Sequence, residues 1–142
     1  MGKVSAILSR KGNSIISIDV NTTVLDALQL MSENNIGSLV VMNQDKFAGI
    51  LTERDYSRKV ILQGKHSDHT TVGEIMSVDL PTVSPEDIVE TCMQHMSNKN
   101  VRYLPVFEGD TLKGIISISD VVTETILQQK ETISHLQNYI QG

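Results

Sequence analysis

Two short segments of the chain, residues 49–55 and 114–120, carry the residue types that could bind a ligand. Each begins with Gly, continues as a short apolar run, and then has a hydroxyl residue followed three positions later by Asp. An Asp at this position falls where a helix would begin, and a helix N-terminus has backbone N–H groups without intrahelical partners. A hydroxyl and a carboxylate beside such N–H groups suit a polar ligand that carries phosphate. The two hydroxyl–carboxylate pairs are Thr52 with Asp55 and Ser117 with Asp120.

The two segments belong to one internal repeat. Gly49 and Gly114 are 114 − 49 = 65 positions apart, and the same offset aligns the residues around them without a gap. Identical pairs at this offset include Val24 with Val89, Met31 with Met96, Asn35 with Asn100, and Leu39 with Leu104. The chain therefore contains two copies of one structural unit.

Each copy predicts one strand, one helix, a two-stranded hairpin and a final helix. Apolar residues recur at helical spacing in residues 24–31 and 88–96, while short apolar runs beside turns predict the strands. These strands are residues 15–18, 39–42 and 47–51 in the first copy, and 81–83, 104–107 and 112–117 in the second. One unit of about 55 to 60 residues is too small to bury a good core alone. We therefore expect an α/β (α+β) fold in which two β-α-β-β-α repeats pack sheet to sheet as one pseudo-twofold module.

We divide the chain into four segments. Residues 1–62 are the first repeat with an N-terminal lead-in helix, and 63–70 are a polar linker. Residues 71–127 are the second repeat, and 128–142 extend its C-terminal helix.

The last helix, predicted over residues 118–139, carries a heptad-like apolar stripe that Gln129 interrupts. The stripe consists of Val122, Ile126, Ile133, Leu136 and Ile140. This helix either packs back on its own domain or contacts a second copy of the chain. We favour the homodimer, because the segment has no equivalent in the first repeat. Head-to-head and head-to-tail dimers are equally compatible with the sequence.

Composition argues against several classes of partner. A net charge of −5, with 4% aromatic residues and no Trp, is unfavourable for binding nucleic acid. No apolar run reaches the roughly 18 residues of a membrane helix, and the start lacks the apolar run of a signal peptide. We therefore expect a cytoplasmic protein that contacts neither nucleic acid nor membrane.

No metal site and no catalytic site are expected. His66 and His69 lie in the polar linker without a second ligand cluster, so we interpret them as part of a solvated loop. The single cysteine, Cys92, falls at an apolar position of a helix, where a packed and inert thiol is typical. The chain has no glycine-rich phosphate loop and no nucleophile elbow, and no His or Cys lies in the repeated motifs. We predict that the protein is not an enzyme.

The repeat closely resembles a tandem pair of CBS domains (cystathionine-β-synthase domains), also called a Bateman module, of the stand-alone single-pair type. The resemblance covers nearly the whole chain. In the first copy it rests on Asn-Ile-Gly-Ser-Leu-Val-Val at 35–41 and Gly-Ile-Leu-Thr-Glu-Arg-Asp-Tyr at 49–56. In the second it rests on Asn-Val-Arg-Tyr-Leu-Pro-Val at 100–106 and Ser-Ile-Ser-Asp-Val-Val at 117–122.

This resemblance implies that adenosine nucleotides bind in two clefts between the repeats. Each cleft would combine the hydroxyl and carboxylate of one repeat with the strand entrances of the other. Thr52, Arg54 and Asp55 would work with Leu80, Pro81, Val101, Arg102, Tyr103 and Pro105. Ser117, Ser119 and Asp120 would work with Ile15, Ile16, Ile36, Gly37 and Ser38. The carboxylate suits the ribose hydroxyls, the hydroxyls and N–H groups suit phosphate, and the apolar residues suit adenine.

The residue types favour the Thr52/Asp55 cleft as the tighter of the two. Arg54 lies beside Asp55, and Arg102 lies at the strand entrance assigned to the same cleft. At the matching positions the other cleft has Ser119 and Gly37, which cannot make charge-assisted contacts to phosphate.

The expected function is a non-catalytic regulatory module that senses adenosine nucleotides and signals through a conformational or dimer rearrangement. AMP is the first candidate ligand, followed by ADP, ATP and NAD(H). The alternative is a structural or adaptor homodimer with vestigial clefts that docks a partner enzyme.

Overall fold

The fold is mixed α+β, and both sequence repeats contain the predicted helices and hairpin. The computed structural model describes residues 2–12 and 14–141. Met1, Asn13 and Gly142, which fall within the predicted segments, lie outside the described residues. No described helix is both long enough and apolar enough to span a membrane.

The first repeat forms a three-stranded sheet with strand order β1-β2-β3. β1 pairs in parallel with β2, and β2 pairs antiparallel with β3. Its elements are β1 Ser17–Asp19, α2 Val24–Asn34, β2 Ser38–Asn43, β3 Lys46–Thr52 and α3 Glu53–Tyr56, with a π-helix at Ser57–Ile61. Ahead of them lies α1 Val4–Lys11.

The second repeat forms a two-stranded antiparallel sheet. Its elements are α4 Val72–Ile75, α5 Val89–Lys99, β4 Tyr103–Glu108, β5 Thr111–Ser117 and α6 Ile118–Gln141. The strand predicted at residues 81–83 is reduced to one parallel bridge from Val83 to Val106. Pro81 has no N–H to donate to a ladder, which limits the pairing that this segment can make.

The identical asparagines of the repeat end the two equivalent helices. Asn35 follows α2 and Asn100 follows α5, and both adopt the left-handed conformation, with φ of 52° and 53°. Asn tolerates this conformation better than most residues because its short side chain bonds locally. Each Asn therefore turns the chain from helix to the entrance of the next strand, where the candidate site residues begin.

The chain divides into two compact units whose limits differ from those of the repeats. The first-repeat unit is Ile15–Leu80, and the second-repeat unit combines Met1–Ser14 with Pro81–Gly142. The lead-in helices are therefore exchanged between units: α1 precedes the first repeat but lies in the second-repeat unit, and α4 lies in the first-repeat unit. The four segments predicted from the sequence repeat, residues 1–62, 63–70, 71–127 and 128–142, stay a prediction.

Each lead-in helix completes the core of its unit. Val72 and Ile75 of α4 are buried in the first-repeat core, while Val4 and Ile7 of α1 are buried in the second-repeat core. Main-chain hydrogen bonds hold both helices, from Val72 N–H to Thr22 O (2.8 Å) and from Val4 N–H to Asp87 O (2.8 Å). The other first-repeat core residues are Val24, Ala27, Met31, Leu39, Val41, Leu51 and Val60. Those of the second-repeat core are Val83, Val89, Cys92, Met96, Leu104, Val106, Ile116 and Val121.

Candidate functional site

Thr52 and Asp55 cap the start of α3 reciprocally. The Thr52 N–H and hydroxyl both donate to Asp55 Oδ2 at 3.0 Å, and the Asp55 N–H donates to Thr52 Oγ1 at 3.0 Å. This capping box fixes the geometry of the junction between β3 and α3.

Asp55 also joins two further segments of the first-repeat unit. Its Oδ1 accepts a hydrogen bond from the Ser77 hydroxyl at 2.9 Å and pairs with the Lys59 ammonium at 3.1 Å. Lys59, on the π-helix, donates in addition to the Ile75 carbonyl at 2.9 Å. Both carboxylate oxygens thus have protein partners, and the side chain is only 7% exposed. Asp55 acts as a brace between α3, the π-helix and the segment after α4.

The Ser117/Asp120 junction has the same local pattern in the second-repeat unit but is more open. The Ser117 N–H donates to Asp120 Oδ2 at 2.8 Å, and the Asp120 N–H donates to Ser117 Oγ at 3.1 Å. Lys11 of α1 donates to Asp120 Oδ2 and to the Ile115 carbonyl, both at 2.8 Å. The Asp120 side chain is 22% exposed. The Asp120 carboxylate is therefore more accessible to a ligand than that of Asp55.

A lysine therefore accompanies each carboxylate, but the two lysines do not correspond in the repeat. The position matching Lys59 is 59 + 65 = 124, which is Glu124. Lys11 comes instead from the lead-in helix, which lies ahead of the gapless repeat. Only the folded structure brings Lys11 to Asp120, so no signal in the sequence could have identified it.

The strand entrances lie beside the junction of their own unit. Ser38 pairs with Thr52 across β2 and β3, and the Gly37 carbonyl accepts the Glu53 N–H at 3.2 Å. Equivalently, Tyr103 pairs with Ser117 and the Arg102 carbonyl accepts the Ile118 N–H at 2.9 Å. Each unit thus brings together residues that the resemblance assigns to different clefts. The combination of each junction with the strand entrance of the other repeat stays a prediction.

The remaining predicted site residues differ in exposure. Ile15, Arg102 and Ser119 are exposed, and Pro105 is buried in β4. The half-buried ones are Ile16, Ile36, Arg54, Leu80, Pro81 and Val101. Because Pro105 is buried and its carbonyl accepts the Val83 N–H at 3.1 Å, its observed role is in the sheet.

A pocket of about 500 Å³ adjoins one strand entrance in the first-repeat unit. It shares Ile36 and Gly37 with the predicted site and places Glu53 of α3 on its wall. It is lined by Leu28, Met31, Ser32, Asn35, Ile36, Gly37 and Glu53. An acidic wall is a poor match for phosphate, so this pocket suits a neutral or cationic part of a ligand.

An ion pair between partly exposed Arg10 and buried Glu124 lies near the Ser117/Asp120 junction in the second-repeat unit. Glu124 of α6 is 2% exposed and accepts hydrogen bonds from Arg10 of α1 and from Gln128. Burial alone would raise the pKa of Glu124, but the hydrogen bonds from Arg10 and Gln128 and the Arg10 charge lower it overall. Arg10 and Lys11 together fix the last turn of α1 to the first turns of α6.

Within the described residues, no group of three or more His, Cys, Asp and Glu side chains could hold a metal ion. His66 and His69 are exposed, and their rings meet edge to face with centroids 6.2 Å apart. Burial, with smaller effects from Asp87 and Glu90, raises the pKa of the Cys92 thiol to about 11. The thiol is therefore protonated and a weak nucleophile at neutral pH.

Two copies of one strand–helix–hairpin unit, each ending in a hydroxyl–carboxylate junction, define a duplicated α+β module. The family model of the CBS domain matches residues 4–61 and 72–126. The chain belongs to the CBS domain family, as a single pair of CBS domains.

The chain is similar to other CBS-domain proteins. A mitochondrial CBS domain-containing protein of Arabidopsis thaliana is 39% identical over 98% of this chain and 72% of its own length. A solved CBS-domain protein from Burkholderia ambifaria MC40-6 has a TM-score of 0.85 and 42% identity, covering 89% of this chain and 96% of its own. A CBS-domain protein from Agrobacterium tumefaciens has a TM-score of 0.80 and 31% identity, covering 85% of this chain and 97% of its own. Since one relative is named as mitochondrial, the cytoplasmic location of this chain stays a prediction.

Proposed function

We propose that this chain is a non-catalytic regulatory module that binds an adenosine nucleotide, with AMP as the first ligand and ADP, ATP or NAD(H) as alternatives. The observation that carries the proposal is the duplicated junction, in which a hydroxyl, a carboxylate and a lysine ammonium lie within hydrogen-bonding distance at a helix start. Membership of the CBS domain family supports a regulatory rather than a catalytic class.

The chemistry of the Ser117/Asp120 junction matches a ribose phosphate. The Asp120 carboxylate can accept from the ribose hydroxyls. The exposed Ser119 hydroxyl, the N–H groups at the start of α6 and the Lys11 ammonium can donate to phosphate. A neutral adenosine would use the carboxylate but would gain nothing from the lysine charge. The junction therefore favours a nucleotide over a nucleoside.

We place the tighter site at Ser117/Asp120, whereas the residue types alone favour Thr52/Asp55. Asp55 is 7% exposed and has partners on both oxygens, while Asp120 is 22% exposed. A ligand that takes Asp55 must first displace Ser77 or Lys59, and each lost hydrogen bond costs about 1 kcal/mol. Arg54 and Arg102 can add phosphate contacts, but they do not remove this cost.

Ligand binding at Asp120 would act on α1. Lys11 bridges Asp120 and the Ile115 carbonyl, so a phosphate that attracts Lys11 changes the contacts of the last turn of α1. A ligand shifts a conformational equilibrium only through such differential contacts. The regulatory signal would thus begin as a change in how α1 packs in the second-repeat unit.

Isothermal titration calorimetry of the full chain with AMP, ADP, ATP, NADH and adenosine tests this function. We expect AMP to bind the unsubstituted chain, and Asp120→Asn should weaken the affinity for AMP at least tenfold. Asp110→Asn, in the exposed turn between β4 and β5, is the matched control and should leave the affinity unchanged. Absence of binding by every adenine nucleotide at millimolar concentration would refute the proposal.

The second candidate is a structural or adaptor homodimer that docks a partner enzyme. The occupied oxygens of Asp55 and the exposed apolar residues of α6 favour it. Thermal denaturation with the same ligands separates the two functions, because only a nucleotide sensor is stabilised by ligand.

A further inference from the structure

The two lead-in segments match in sequence but differ in fold. Residues 4–9 read Val-Ser-Ala-Ile-Leu-Ser and residues 72–77 read Val-Gly-Glu-Ile-Met-Ser, so the Val, the Ile and the final Ser are identical. α4 ends at Ile75, whereas α1 continues one turn further, to Lys11. The final serine of the pattern therefore lies in a β-bridge in the first-repeat unit and in a helix in the second-repeat unit.

The residue before this serine packs in the same place in both units. A Cβ added to Gly49 would lie 3.2 Å from the Met76 sulfur, and one added to Gly114 would lie 3.1 Å from Leu8 Cδ2. Gly49 and Gly114 are equivalent positions of the repeat, so Leu8 and Met76 occupy equivalent positions as well. The two segments therefore share a starting point and diverge at the serine that follows.

Ser77 shows what the extended arrangement provides. Its N–H donates to the Ile50 carbonyl at 2.9 Å, and its own carbonyl accepts the Ile50 N–H at 3.0 Å. The Ser77 hydroxyl donates to Asp55 Oδ1 at 2.9 Å. The serine thus pairs with the free edge of β3 and at the same time occupies one oxygen of the motif carboxylate.

The Lys11 side chain makes the corresponding contacts in the second-repeat unit. Ile115 and Asp120 match Ile50 and Asp55 at the repeat offset of 65. The Lys11 ammonium donates to the Ile115 carbonyl and to Asp120 Oδ2, both at 2.8 Å. One flexible side chain thus stands where the other unit has a main-chain pair and a serine hydroxyl.

The place that a second extended serine would take is open. In the first-repeat unit the Ser77 carbonyl lies 2.6 Å from a Cβ built on Gly49. Around a Cβ built on Gly114, Leu8 is the only described residue within 4 Å, apart from the neighbours of Gly114 in the chain. Ser9, which matches Ser77 in the lead-in pattern, is instead exposed on α1.

The first lead-in segment also has more chain to follow it. Ile18 and Val83 are equivalent residues of the repeat, and each makes a parallel pairing in its own sheet. Ser9 precedes Ile18 by 18 − 9 = 9 positions, but Ser77 precedes Val83 by only 83 − 77 = 6. The three additional residues amount to about one helical turn, so an extended Ser9 is followed by more chain than Ser77 is.

We propose that the last turn of α1, residues 9–11, switches between this helical arrangement and an extended one in which Ser9 replaces Lys11. In the extended arrangement the Ser9 main chain pairs with Ile115, and the Ser9 hydroxyl donates to Asp120 Oδ1. Lys11 then leaves both of its acceptors. The first-repeat unit already contains this extended arrangement, with every bond made by equivalent residues.

Arg10 decides which arrangement prevails. Its guanidinium pairs with Glu124, whose side chain is 2% exposed, and an extended turn withdraws the guanidinium from this buried carboxylate. Removing one partner of a buried ion pair is costly, so the helical arrangement is the major one. The two main-chain hydrogen bonds and the hydroxyl bond of Ser9 offset part of this cost.

The extended arrangement closes the Ser117/Asp120 junction to a ligand. Asp120 then has a serine on its second oxygen, as Asp55 has, and the Lys11 ammonium no longer faces the site. A nucleotide bound at Asp120 therefore favours the helical turn, because only that arrangement leaves both groups available. This closing role rests on the proposed function, whereas the existence of the two arrangements does not.

NMR spectroscopy of two variants without ligand tests the extended arrangement. Arg10→Pro excludes the helical conformation at Ser9, and Arg10→Ala is the matched control that lacks the same guanidinium. Both are made with Glu124→Gln, so that no buried charge is left unpaired. In the proline variant the Ser9 chemical shifts should become those of a strand, and the Ile115 amide should exchange at least tenfold more slowly than in the control. Equal exchange rates, or loss of the fold in the proline variant, would overturn the proposal.

Relaxation-dispersion NMR of the unsubstituted chain is the second measurement. The amides of Ser9, Arg10 and Ile115 should report one shared exchange process on the μs–ms timescale. Ser9→Ala removes the hydroxyl and favours the helix, so it should reduce the amplitude of this exchange. Ser5→Ala, in the first turn of α1, should leave the amplitude unchanged. Flat profiles at these amides, or exchange that Ser9→Ala does not reduce, would contradict the switch.

Calorimetry with AMP tests the closing role separately. Arg10→Pro and Arg10→Ala, again with Glu124→Gln, both keep Lys11 and Asp120, so a difference between them reports the conformation of the turn. AMP should bind the proline variant at least tenfold more weakly than the alanine variant. Equal binding to both would refute the closing role. Failure of AMP to bind even the unsubstituted chain would refute the proposed function, while the two NMR measurements still decide whether the turn switches.

Discussion

The Lys11 ammonium donates a 2.8 Å hydrogen bond to Oδ2 of Asp120 across 109 positions of sequence. Lys11 is the last residue of α1, and Asp120 lies in the first turn of α6. The pair places a positive charge beside the more exposed of the two motif carboxylates. In the proposed nucleotide site, a ligand with a phosphate group can therefore gain a contact with Lys11 that a ligand without phosphate cannot make.

Lys11→Gln should separate nucleotide from nucleoside binding. We expect the affinity for AMP to fall about three- to fivefold, since a partly exposed charge contributes up to about 1 kcal/mol, while the affinity for adenosine stays unchanged. Calorimetry with both ligands measures this difference. Lys3→Gln is the control, because Lys3 pairs with Glu86 at 2.9 Å and touches neither junction. Equal losses for AMP and adenosine would mean that Lys11 only positions Asp120.

Asp55→Asn should destabilise the protein more than Asp120→Asn. The Asp55 carboxylate accepts from Thr52, Ser77 and Lys59 in a buried position, so we expect a loss of about 1–3 kcal/mol in the free energy of unfolding. For the more exposed Asp120 the loss should be below about 1 kcal/mol. Urea denaturation without ligand measures both. Equal losses would contradict the bracing role of Asp55.

The Glu124–Arg10 pair should make stability sensitive to acid. The hydrogen bonds in the folded state hold the pKa of Glu124 below its ordinary value of 4.5. Because the pKa of Glu124 is lower in the folded than in the unfolded chain, its ionised carboxylate stabilises the fold fully at pH values above the unfolded pKa. This stabilisation is lost as pH falls through the folded pKa.

Glu124→Gln tests this sensitivity. At pH 7 it should reduce the free energy of unfolding by about 1–3 kcal/mol, less than for a fully buried pair because Arg10 is partly exposed. The difference from the unsubstituted chain should shrink as pH falls below about 4.5. Glu131→Gln, an exposed control on the same helix, should show no such change. A difference in the free energy of unfolding that stays constant with pH would contradict this role of the Glu124 carboxylate.

Cys92 should resist alkylation in the folded protein. Its pKa of about 11 and its burial leave almost no accessible thiolate at pH 7.5. Iodoacetamide followed by mass spectrometry should detect little modification in buffer and full modification in urea. Rapid labelling of the folded chain would show that α5 opens locally.

The repeat explains how much of the fold could be predicted. Some matching positions of the gapless repeat share a conformation: Asn35 and Asn100 both adopt positive φ, and the hairpins have bulges at the matching positions Val41/Met42 and Val106/Phe107. Local spacing also identified both capping junctions, since Thr52/Asp55 and Ser117/Asp120 bond within a single turn. Local features such as these turns and caps, which depend on residues close together in the sequence, can therefore be predicted from the sequence.

Contacts between residues that are far apart in the sequence cannot be predicted in this way. An added Cβ on Gly49 would lie 2.6 Å from the Ser77 carbonyl, so this glycine permits a close approach of two segments. No sequence motif predicts this approach. The same approach brings the Ser77 hydroxyl to Asp55 and makes that carboxylate a brace. The exchange of α1 and α4 between units and the contact of Lys11 with Asp120 also depend on tertiary packing alone.

The exchanged lead-in helix has a consequence for the order of events during synthesis. α1 leaves the ribosome before the first repeat, yet its apolar residues Val4 and Ile7 pack with residues of α5, β4 and β5. At roughly 5–20 residues per second, these partners are synthesised on the order of 5 to 20 seconds after α1. Meanwhile Ile15–Leu80 forms a complete sequence-continuous unit that can fold first. The second CBS domain can close its core only around a helix made before the first.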